Sequence, residues 1–70
     1  MAPLDLYAVA RRANPALPED GRASIREALD AHLVVSLVLQ GEEPIGITKA
    51  QREAIKQAAA DLIRESEGAT

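Results

Sequence analysis

Ala31-His32-Leu33-Val34-Val35-Ser36-Leu37-Val38-Leu39 is the densest run of large apolar residues in the chain, and its reading decides the fold. Read as a helix, it is the second half of a segment from about 24 to 40. Ser24-x-x-Glu27 ahead of it matches a capping box, in which each side chain satisfies the other's free backbone N–H. Gly41 behind it supplies the left-handed residue at which helices commonly end. Read as a strand, residues 32–39 would draw on β-branched Val34, Val35 and Val38. Gly41-Glu42-Glu43-Pro44 would then turn the chain into Ile45-Gly46-Ile47. The helix is the stronger reading, because the cap leads into the run without a break signal and one isolated hairpin is marginally stable in water.

On a helical wheel at about 100° per residue the segment changes halfway. Its first half has a solvent side in Arg26, Glu27 and Asp30. In the second half that side carries Leu33, Val34 and Leu37, and the opposite sides carry Val35, Val38 and Leu39. Only His32, Ser36 and Gln40, spaced by four, stay polar. A helix apolar nearly all round is buried nearly all round. Leaving Leu33, Val34 and Leu37 in water would forfeit roughly 1.5–3 kcal/mol each.

The neighbouring segments supply part of the cover. Residues 3–13 read as a short first helix, with Pro3 suited to the first helical position. Asp5 suits its positive end, and Arg11 and Arg12 its negative end. Leu6, Val9, Ala10 and Ala13 share one face. Asn14-Pro15 stops this helix, and residues 14–23 form a loop in which Leu17 is a candidate anchor. Residues 41–47 connect to the third helix, and apolar Ile45 and Ile47 are expected to tuck under the end of the hairpin formed by the two long helices. Thr48-x-x-Gln51 is a second capping box and opens a helix over 48–67, with Ala54, Ile55, Ala58, Ala59 and Leu62 in one stripe. The expected fold is all-α. A short N-terminal helix flanks an antiparallel helical hairpin, and two hairpins dimerise into a four-helix-bundle-like core.

Composition bounds function. Seventy residues make one small domain, which buries only about 60% of its unfolded surface. Domains of this size usually add disulfides, a metal or oligomerisation. There is no Cys and a single His, so no disulfide or thiolate metal site is available, and no cofactor is expected. A net charge of −3 argues against an electrostatic grip on nucleic acid or an anionic membrane. Tyr7 is the only aromatic residue, which removes a stacking platform for single strands. Residues 1–5 lack the basic-then-apolar pattern of a secretory signal, and the longest apolar run falls short of the roughly 20 residues of a membrane span. A cytoplasmic protein is the expectation.

No catalytic constellation is present. Ser24 and Thr48 are explained as caps, Glu42-Glu43 as a solvated turn, and Arg11-Arg12 by the helix dipole. His32 is the only candidate general base, and a helical hairpin offers an enzyme little pocket. His32, Ser36 and Gln40 form a candidate polar seam that would fix register in a bundle. Lys49, Arg52 and Lys56 cluster on the third helix and would be the recognition face of a DNA-binding regulator. Against that alternative, Glu53 borders the patch, and seven connecting residues exceed the turn of about 3–4 residues usual in a helix-turn-helix. The reading that remains is a small non-enzymatic interaction protein, a homodimeric regulator or inhibitor of another protein. Its size and composition suit a bacterial or phage accessory factor. Leu29, Leu33, Val34, Leu37, Val38 and Tyr7 are the expected anchors for a second copy or a partner.

Overall fold

A computed structural model describes residues 4–19 and 21–68. They form three helices, α1 (Leu6–Ala13), α2 (Ile25–Leu39) and α3 (Lys49–Gly68). No strand occurs among the described residues, so residues 32–39 are helical and the strand reading is overturned.

Local signals set the helix ends. The first helix begins later than position 3, because Asp5 takes the capping role: its carboxylate accepts the N–H of Tyr7 at 3.1 Å and of Ala8 at 3.2 Å. Pro3 lies outside the described residues. Asn14 closes α1 with its N–H on the Ala10 carbonyl at 2.8 Å. Its side chain then accepts the Ala16 N–H at 3.2 Å, a local bond that competes with helix continuation. Both capping boxes form. Glu27 N–H donates to Ser24 Oγ at 3.1 Å and Ser24 N–H to Glu27 Oε1 at 3.0 Å. Gln51 N–H donates to Thr48 Oγ1 at 3.1 Å and Thr48 N–H to Gln51 Oε1 at 2.8 Å. Gly41, at φ +91°, ends α2 in a Schellman motif. Glu42 N–H reaches the Leu37 carbonyl at 2.9 Å and Gly41 N–H the Val38 carbonyl at 3.0 Å, satisfying two orphan acceptors of the last turn.

The core is built from small residues. Val9 and Ala10 of α1, Val35 and Val38 of α2, and Ile55, Ala58 and Ala59 of α3 are buried together. Leu6, Ala13, Leu17 and Leu62 pack around them, so Leu17 does anchor the first loop. That loop is held a second time by the Tyr7 hydroxyl, which donates to the Pro18 carbonyl.

Two expectations need correcting. The first helix is not peripheral: α1 packs on each of the longer helices more extensively than they pack on one another. With Val9 and Ala10 on its buried side, it is slim enough to sit close to both partners, and the Arg12–Glu65 ion pair ties it to α3. Nor does Ile45 tuck under. It is fully exposed, because Pro44–Ile47 is a turn in which Ile47 N–H donates to the Pro44 carbonyl at 3.2 Å. Ile45 occupies the second position, at the tip, and Gly46 the third at φ +89°, the positive φ that a type II turn requires. Of the two isoleucines, Ile47 is the one that is partly buried.

Candidate interaction surface

The two halves of α2 meet different surroundings. In the C-terminal half Val35 and Val38 are buried, and Val34 and Leu37 are half-buried. Ile25 is 81% exposed, Leu29 64% and Leu33, at the middle of the helix, 58%, and Leu39 at its C-terminal end is 39% exposed. Arg26, Glu27 and Asp30 are exposed as the wheel reading has them, and so is Leu33, whereas Val34 and Leu37 of the expected uncovered side are half-buried. That difference has a packing cause, since Val34 lies against the core cluster that α1 and α3 help to form.

Ile25, Leu29 and Leu33 are spaced by four and form one ridge along α2. Ile25 was the member that sequence reasoning missed, because it follows the Ser24 cap and sits beside Arg26 and Glu27. The spacing 25, 29, 33, 37 is the signal that could have found it. Of the other expected anchors, Tyr7 is 3% exposed and Val38 1%. Both are committed to the chain's own interior, and neither is available at its surface. The seam residues His32 and Gln40 are exposed and Ser36 is half-buried. Gln40 Nε2 donates to Ser36 Oγ at 3.1 Å, so these two are joined within one helix. On the wheel His32, Ser36 and Gln40 fall about 20° from the apolar ridge, so Ser36 and Gln40 continue the same side of α2 beyond Leu33.

The basic residues of α3 separate. Lys49 and Lys56 are exposed. Arg52 is turned to the preceding connection, where Nη1 donates to the Ile47 carbonyl at 3.2 Å and Nη2 lies 3.5 Å from Glu43. It staples the turn to α3 and is not poised to contact a groove.

Between the three helices runs an open cleft of about 530 Å³, in place of the pocketless surface expected of a hairpin. Its walls are Ala10 and Ala13 of α1, Ala31, Val34 and Val35 of α2, and Ala50, Ala54 and Ile55 of α3, with Leu17 and Ile47 from the loops. The polar groups on it are Asn14, Glu27, Asp30 and Gln51. His32 lies outside it. Glu27 is held below the usual glutamate range, first by the Ser24 backbone N–H and then by the Ser24 hydroxyl, so it remains an anion there. Among the described residues no group of three or more His, Asp or Glu side chains is placed to hold a metal, and no helix is long and apolar enough to cross a membrane.

No protein-family model, curated protein or solved structure matches this chain.

Proposed function

We propose that this chain is a non-enzymatic interaction protein that pairs with a second copy through α2 and regulates or inhibits another protein by binding it. The observation that carries the reading is the ridge Ile25, Leu29 and Leu33, three large apolar side chains left in water by a chain whose described core holds mostly Ala and Val. A ridge repeating every four residues is self-complementary: two copies cross with ridges interdigitated, and a two-fold axis presents the same patch from both sides. In that dimer α2 packs on α2 and each copy's α1 and α3 back it, so the bundle-like core expected from the hairpin reading is centred on the α2 pair. Gln40, Ser36 and His32 border the contact and supply its polar margin. Three such side chains from each copy contribute on the order of 10 kcal/mol of burial, and association costs about 4–15 kcal/mol. The two are of the same order, so pairing depends on concentration. The DNA alternative loses support from the engagement of Arg52 within the chain.

Sedimentation velocity from micromolar to millimolar concentration tests the pairing. The wild-type chain is expected to pass from monomer to dimer. Leu29→Glu is expected to stay monomeric while melting, at the lowest concentration, as the wild type does. A wild-type chain that stays monomeric throughout would remove the proposal.

A further inference from the structure

We infer that the cleft between the three helices is the partner site, and that its occupant is an amphipathic helical segment of another protein with basic residues beside its apolar anchors. The inference rests on the reading of the chain as an interaction protein, but not on its pairing through α2. On the wheel, cleft residues Ala31 and Val34 lie about 140–160° from the centre of the ridge Ile25, Leu29 and Leu33, and Asp30 about 100° from it. A dimer formed on the ridge therefore leaves the cleft open, one per copy.

Three properties of the cleft select the occupant. The first is size. An engineered apolar cavity of about 150 Å³ takes up one benzene, so 530 Å³ has room for about three large apolar side chains. The second is length. From Glu27 to Val35 the α2 wall runs about 12 Å at 1.5 Å per residue, and anchors at i, i+4 and i+7 of a docked helix span about 10 Å. The alanines at 31, 50 and 54 keep the walls low enough for a backbone to approach. The third is charge. Glu27 and Asp30 stand on the lining, and no Lys or Arg does. Glu27 gives one oxygen to its capping box and keeps its negative charge. Asp30 is exposed. Complementary charge at the margin of an apolar groove sets orientation and rejects wrong partners. An apolar helix with flanking Lys or Arg fits such a groove, and one with flanking acids is repelled.

The test uses two synthetic helix-forming peptides with leucines at i, i+4 and i+7, one flanked by lysines and the other by glutamates. Each is titrated into the full chain at low ionic strength with amide shifts followed by NMR. The lysine peptide is expected to bind saturably and to move Ala31, Val34 and Ala54, and to bind about tenfold tighter than the glutamate peptide. Asp30→Lys is expected to erase or invert that preference. Ala54→Leu, which fills the cleft from an exposed position, is expected to abolish binding. Ala50→Leu repeats the test should the first variant melt early. Leu29→Glu, monomeric by design, is expected to bind the lysine peptide as the wild type does, which separates this inference from the dimer. Four results would each overturn it: binding of neither peptide, equal binding of both, peptide-induced shifts confined to Ile25, Leu29 and Leu33, or shifts in the cleft on concentrating the protein alone. The last would make a second copy the occupant.

Discussion

The large apolar side chains in the two parts of α2, divided after Leu33, have opposite fates, although the first part alone also carries the charged Arg26, Glu27 and Asp30. From Val34 to Val38 the helix is packed against α1 and α3, while from Ile25 to Leu33 its large apolar side chains stand in water. Hydrophobicity along a single helix therefore does not say which part is core. What decides is which side meets the neighbours: Val35 and Val38 are buried with residues of α1 and α3, and Ile25, Leu29 and Leu33 lie about 150° from them on the wheel.

The largest effect that tests this contrast comes from truncating one residue in each half. Val38→Ala is expected to lower unfolding stability by about 2 kcal/mol, because it removes buried methyl groups and leaves a gap. Leu33→Ala, measured by the same denaturant titration at a concentration where the chain is monomeric, is expected to change it by no more than about 0.5 kcal/mol. Equal losses in the two variants would show that the halves are buried alike and would break the comparison.

A smaller effect is expected where the covered half ends. Gly41 sits at φ +91°, and a Cβ there would meet nothing within 4 Å. Gly41→Ala is therefore opposed by backbone conformation alone, at about 1–2 kcal/mol, and should also weaken the amide-exchange protection of Glu42, whose N–H closes the Schellman motif. A variant as stable as the wild type would mean that the last turn of α2 is not held in this conformation.

The smallest effect belongs to the start of the uncovered half. Ser24→Ala is expected to cost about 1 kcal/mol or less, with loss of helicity confined to the first turn. The capping box adds a pH dependence of known sign. Ser24 holds the Glu27 carboxyl below its ordinary range. The contribution is thus present in full at pH values above that range and is lost as pH falls through the folded-state value. A Glu27→Gln variant should show a flatter decline in stability on acidification, measured by thermal melting at constant ionic strength. An identical decline would place the acid sensitivity elsewhere.

Much of the secondary structure was legible because its signals are local. Ser24 with Glu27 and Thr48 with Gln51 start helices through bonds that span three residues, and Gly41 ends one through conformational freedom at a single position. The stripe Leu6, Val9, Ala10, Ala13 was legible for the same reason, since it needs only helical periodicity. The candidate surface was half legible. Leu29 and Leu33 were singled out from the sequence and are exposed, whereas Val38 and Tyr7 were singled out and belong to the interior. Ile25 was hidden among polar neighbours. The cleft was not legible at all, because its walls are drawn from three helices and two loops and many of its lining residues are alanines.

The sequence by itself determined the all-α class, the caps of the two longer helices and the approximate extents of three helices, because each depends on interactions between residues a few positions apart. Only the tertiary structure decided which half of α2 is core. That choice depends on where α1 docks, and a loop containing two prolines holds it there, with Leu17 packed against the core and the Tyr7 hydroxyl on the Pro18 carbonyl. The physical reason is that periodicity marks a face as apolar without marking what covers it. Cover comes from elements distant in sequence, and here it reaches Val38 and stops short of Leu33.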